Sequence, residues 1–131
     1  MSYVYCNPNP ANKVVGDCVI RAISILLDMG WDETYDDLVD QGKFMKDMPS
    51  SNSVWAAYLK SRGYVRRVIP NSCPDCYTIR QFAFDHPIGE YLLATGSHVV
   101  AVIHGSYFDT WDSGDEIPIC YWEKEKYNAR Y

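Results

Sequence analysis

The sequence predicts a single α+β domain, with helices first and an antiparallel sheet after them. Apolar residues at helical spacing fill the stretch from Cys18 to Gly63, whereas short β-branched and aromatic runs separated by turn residues fill Tyr91 to Trp122. Composition agrees with one core spanning residues 1–131: 47% of the 131 residues are apolar and 15% aromatic, far from the charge-rich makeup of a disordered chain.

Residues 1–13 carry Pro8, Pro10 and three Asn with no periodicity and are expected to form an irregular lead-in. Asp17 precedes a run from Cys18 to Met29 in which only Arg21, Ser24 and Asp28 are polar, the pattern of a helix buried on most sides and stopped at Gly30. A second helix is predicted from Asp32 to about Gly42. Its first turns hold Asp32, Glu33, Asp36 and Asp37, where negative charge suits the helix dipole, and Trp31, Tyr35, Leu38 and Val39 supply the apolar stripe. Ser51-Asn52-Ser53 offers caps for a third helix that ends at Arg62-Gly63. Tyr64–Ile69 is a strand, and Thr78 caps a short helix through Phe84. Tyr91–Thr95, His98–Ile103, Ser106–Trp111 and Ile117–Trp122 then make an antiparallel meander.

Twelve basic against 17 acidic residues give a net charge of −5 and a pI near 5.0, which argues against a nucleic-acid partner, because phosphate-backbone binding draws on a basic surface. Nothing approaches the ~18 apolar residues of a membrane span. The first ten residues have neither a basic segment nor an apolar run, so a cytoplasmic protein is expected. Cys6, Cys18, Cys73, Cys76 and Cys120 are an odd set, which suits reduced thiols and leaves at least one unpaired in a monomer.

Three residue types in chain order carry the chemistry. Cys18 opens a buried helix, whose N-terminus bears about half a positive charge and lowers a thiol pKa. His98 opens an apolar strand directly after the Gly96-Ser97 loop, where a rigid scaffold presents functional side chains. An acid follows on the return strand. A three-residue loop, His104-Gly105-Ser106, places His98 opposite Asp112 on one face; a two-residue turn places it opposite Trp111 with Asp109 diagonally near. Asp112 is therefore the expected orienting acid and Asp109 the reserve. Cysteine alone is often a small core residue, and an aspartate alone often ends a strand, but the ordered set supplies a nucleophile, a general base and an orienting group. The oxyanion needs donors as well, which the Cys18 backbone N–H and an upstream side-chain amide can supply.

With these residues in place, Asn12-Lys-Val-Val-Gly-Asp-Cys18, Ser97-His98-Val-Val-Ala-Val and Asp109-Thr-Trp-Asp112-Ser-Gly together resemble a minimal papain-like cysteine peptidase, of the small kind found in bacteria and their phages. The resemblance implies a papain-like fold, location in a bacterial or phage-infected cytoplasm, and cleavage of a peptide or isopeptide bond in a protein or peptide substrate through an acyl-enzyme. It implies Cys18, His98 and Asp112 as the triad, with Asn12 in the oxyanion position that usually holds Gln. It also implies that Trp111 shields the His–acid bond. No metal or organic cofactor is implied. A deamidase, transglutaminase-like or cell-wall amidase activity uses the same set, and a non-catalytic binding protein on the same fold is the alternative from another class.

Other signals are discounted. Cys73-Pro-Asp-Cys76 is half of a zinc or redox motif without its complement. His86 and His104 fall in loops away from His98. The acidic face of the second helix is read as solvated, and the tail after Glu123 as frayed. The segment 45–53, with Met45, Met48 and Ser50-Ser51-Asn52, is expected to contact substrate or a partner.

Overall fold

The computed structural model describes residues 2–70 and 76–125. Four helices, α1 (Cys18–Leu27), α2 (Trp31–Met45), α3 (Asn52–Ser61) and α4 (Ile79–Asp85), accompany one six-stranded sheet. Its strands are β1 (Tyr3–Tyr5), β2 (Tyr64–Val68), β3 (Glu90–Ala94), β4 (Val99–Ile103), β5 (Ser106–Asp109) and β6 (Cys120–Lys124). The α+β class expected from the sequence is the one observed.

The spatial order is β1-β5-β4-β3-β6-β2, which corrects two expectations. First, the lead-in is not wholly irregular: Tyr3–Tyr5 lies parallel to Tyr107–Asp109 as an edge strand, so the sheet is mixed. Second, only β3, β4 and β5 form a meander. β6 crosses back to pair antiparallel with β3 on one side and β2 on the other, which leaves β2 as the edge strand opposite β1.

Helix limits follow local chemistry. α1 stops one turn earlier than Gly30 because Asp28 adopts the left-handed conformation (φ 54°) as its C-cap. α2 runs past Gly42, which the sequence suggested as its end. There the chain doubles back so closely that a Cβ on Gly42 would lie 2.7 Å from the Asp47 carbonyl, and the Asp47 N–H bonds to the Gly42 carbonyl at 2.9 Å. Thr78 caps α4 in a reciprocal pair with Gln81, as its position foretold.

Two apolar layers hold the sheet. On one face Ile23 and Leu26 of α1, Leu38 of α2, and Trp55 and Leu59 of α3 pack against Leu92 and Trp122. On the other, Ile79 and Phe82 of α4 pack against Leu93, Val100, Val102 and Tyr107. Each such side chain contributes about 1.5–3 kcal/mol by leaving water, and the first layer fixes the start of α1 against the start of β4. No helix among the described residues is long and apolar enough to cross a membrane.

Candidate active site

The start of α1, the β3–β4 loop and the end of β5 meet at one point. Cys18 is the first residue of α1 and half-buried. The β3–β4 loop is closed by the Thr95 N–H donating to the His98 carbonyl at 2.8 Å, with Gly96 at φ 106°, a conformation that favours glycine. This loop delivers His98 to the mouth of β4. Cys18, His98 and Val99 line one cleft there, and the His98 side chain and the Val99 N–H are the groups that act on the Cys18 thiol.

The acid that holds His98 is Asp109. His98 Nε2 donates to Asp109 Oδ2 at 2.6 Å, which leaves Nδ1 as the ring nitrogen for the thiol. The expectation of Asp112 is corrected, and the reason lies in the β4–β5 turn. Ile103 pairs with Ser106 across His104 and Gly105 alone, both with positive φ (48° and 85°), so the hairpin has the two-residue form. The register moves by one residue from that of the longer loop, so the odd-numbered Asp109 rather than the even-numbered Asp112 is brought to His98. Asp112 instead accepts from Tyr107 Oη at 2.5 Å, from the Gly114 N–H at 3.0 Å and from Arg80 Nη2 at 3.4 Å.

Asp109 is 2% exposed and fully engaged. Besides His98 it accepts from Ser113 Oγ at 2.8 Å, from Arg21 Nη2 at 3.1 Å and from the Thr110 N–H at 2.8 Å. Arg21 also pairs with Asp17, whose other oxygen accepts from Trp31 Nε1 at 3.0 Å. Thus the carboxylate beside Cys18, which by itself disfavours a thiolate, is neutralised by a buried guanidinium. Arg21, Ser113 and Trp31 were not expected from the sequence as residues of the site. For Arg21 a signal existed: it is the only cation in an apolar helix and stands four residues after Asp17.

The charges of the three groups follow from these contacts. Burial pushes the Cys18 thiol up, but the His98 hydrogen bond, the Val99 N–H and the nearby His98 and Arg21 charges bring it below its ordinary value. Burial pulls His98 down, and its bonds to Asp109 and Cys18 overcome this and raise it to about 9. Burial pushes Asp109 up, yet His98 and Ser113 bring it below the usual carboxylate range. At neutral pH this arrangement favours a thiolate beside an imidazolium. The Trp111 ring lies 5.0 Å from the His98 ring, tilted by 41°, and is itself 45% exposed, so it stands between His98 and solvent on that side.

Cys18 and His98 open onto a cleft of about 350 Å³. Trp55, Ala56, Val99, Ile119 and Trp122 supply its apolar wall. Ser50 and Asn52 also line it, which places part of the 45–53 segment at the site. Asn12 does not line the cleft. It is exposed, at φ 56°, with its side-chain oxygen 3.5 Å from the Asn7 amide nitrogen, so its expected oxyanion role finds no support in this arrangement. The Cys18 N–H stands at the first helical position, where no intrahelical acceptor exists. No group of three or more His, Cys, Asp or Glu suited to a metal occurs among the described residues. Cys73 of the C-x-x-C pair lies outside the described residues.

Compared with known protein families, curated proteins and solved structures, the chain matches none. Its chemistry therefore rests on the site's own geometry.

Proposed function

We propose that this chain is a compact papain-like thiol hydrolase that cleaves a peptide or isopeptide bond through an acyl-enzyme. The observation that carries the reading is the continuous contact from Cys18 through His98 to a buried Asp109 at the head of an apolar cleft. An N-terminal helix bearing the cysteine, packed against a sheet bearing the histidine and the acid in that chain order, supports the papain-like assignment.

In this mechanism the Cys18 thiolate attacks the substrate carbonyl, a carbon–sulfur bond forms, and the oxyanion takes the Cys18 N–H. His98 then donates its proton to the leaving nitrogen, the carbon–nitrogen bond breaks, and a thioester remains. Water attacks the thioester as His98 takes its proton. The carbon–sulfur bond breaks, the acid departs, and the thiolate–imidazolium pair is restored. Asp109 keeps Nε2 occupied and stabilises the imidazolium, while Trp111 keeps water from their bond.

A screen of peptide and isopeptide substrates tests the reading, with Cys18→Ala as the control. Cleavage that is lost in the variant while the fold is retained is the expected result; unchanged cleavage in Cys18→Ala contradicts it. The products identify the reaction: new termini mark hydrolysis of the chain, ammonia without cleavage marks deamidation, and incorporation of an added amine marks transfer.

A further inference from the structure

We infer that the substrate of this cleft carries a carboxylate, which Arg66 receives while the apolar part lies against Trp55 and Trp122. The inference rests on Cys18 as the nucleophile and adds the charge of what is bound beside it.

Charge distribution is the first argument. The chain has 17 acidic and 12 basic residues, yet among the described residues no Asp or Glu lines the cleft, and the lining cations are Arg66 and, when protonated, His98. A cavity with one sign of charge and low-dielectric walls concentrates the opposite sign. The acidic residues at the start of α2, Asp32 and Glu33, are not among the lining residues.

Second, Arg66 is uncommitted among the described residues. It is exposed on β2, and no ion pair or hydrogen bond engages its side chain among the described residues. Its neighbours are engaged: Arg67 Nε donates to Glu123 Oε2 at 2.9 Å, and the Arg62 guanidinium lies 5.6 Å over the Tyr58 ring. Alternation along β2 separates the two arginines, since Arg66 pairs with Trp122 and Arg67 with Tyr121. Arg66 therefore stands on the helix-side face, in register with the indole that walls the cleft.

The wall itself supplies the third. Trp55 and Trp122 meet edge to face at 6.0 Å, a rigid apolar surface for an aliphatic or aromatic group. Trp122 Nε1 is buried and has no hydrogen-bond partner among the described residues, so a donor stands unengaged there in the same wall as Arg66. A guanidinium fork beside an aromatic wall suits a carboxylate attached to an apolar or short acidic residue. That carboxylate is either a free chain terminus or an acidic side chain, and both share the chemistry.

The test uses four bromoacetyl probes on the intact chain, read as modification of the Cys18 peptide by mass spectrometry. Bromoacetyl-leucine is compared with bromoacetyl-leucinamide, and bromoacetyl-glutamic acid α-amide with bromoacetyl-glutamine α-amide. In each case the sulfur–carbon bond forms as the carbon–bromine bond breaks and bromide leaves. The wild type is expected to favour the carboxylate member of at least one pair by about five-fold at low salt, and the pair that shows it distinguishes a terminal from a side-chain carboxylate. Arg66→Gln abolishes that preference, read as the ratio within each pair; Arg66→Lys keeps part of it. No preference in either pair, or a preference that survives Arg66→Gln, overturns the inference. Runs at a pH where any cysteine is a thiolate measure these ratios whether or not His98 activates Cys18, so failure of the nucleophile assignment is read separately, from the effect of His98→Ala on the neutral probes.

Discussion

His98 and Asp109 are joined at 2.6 Å because the hairpin between them turns over two residues, and that turn decides which of two nearby aspartates orients the imidazole. Asp109 is 2% exposed on its side chain; Asp112 is 51% exposed and serves Tyr107, Gly114 and Arg80.

The two aspartates therefore separate by mutation. Asp109→Asn removes the carboxylate that stabilises the imidazolium, and the rate of Cys18 alkylation at about pH 6.5 is expected to fall ten-fold or more, since loss of such an acid costs up to about 10⁴ in related catalytic sets. Asp112→Asn is expected to stay within about two-fold of the wild type, because the groups it holds are not those of the thiol. Equal losses in the two variants contradict the assignment.

Arg21 bridges two buried carboxylates, with side-chain exposure of 7% against 4% for Asp17 and 2% for Asp109. Arg21→Met leaves both without their cation and is expected to cost about 3–5 kcal/mol of stability. Urea unfolding at neutral pH measures it, and a loss under about 1 kcal/mol contradicts the bridge.

The same contacts set a pH dependence of stability. His98 titrates at about 9 in the folded chain against an ordinary 6.5, so its stabilisation is full below 6.5 and is lost as pH rises through about 9. Asp109 is shifted the other way, so its share is present above its ordinary 3.8 and is lost as pH falls through its lower folded value. In a Cys18→Ser background, where no thiol at this position titrates, the urea midpoint is expected to hold steady up to about pH 6.5 and to fall toward pH 9.5. Adding His98→Gln removes that fall. A midpoint that falls equally in both contradicts the His98–Asp109 pair.

How much of this the sequence revealed depended on how local each signal was. Cys18 and His98 were legible because each opens an apolar element, one after Asp17 and the other after Gly96-Ser97. The acid turned on one residue of loop length. His104 must take φ 48° for the two-residue turn, a conformation uncommon for a residue with a side chain, and this weighed against the short turn although strands ending at Ile103 and starting at Ser106 leave only His104-Gly105 between them. The strand Tyr3–Tyr5 is three residues long and pairs with β5 more than 100 residues away, which leaves no periodic trace. The insertion of β6 between β3 and β2 is likewise a long-range choice. Ser113 has no sequence signature at all: it matters only because the chain after β5 bends back and buries it against Asp109.

The central claim is that Cys18 is a thiolate paired with His98 at neutral pH, and the pH dependence of its alkylation by iodoacetamide tests this most directly. Labelling of the Cys18 peptide in the wild type and in His98→Ala is followed by mass spectrometry across the pH range. The account predicts fast labelling below about pH 7 in the wild type that collapses in His98→Ala. Labelling that rises only with a midpoint near ~8.5, and identically in both proteins, is the behaviour of an ordinary thiol and contradicts it.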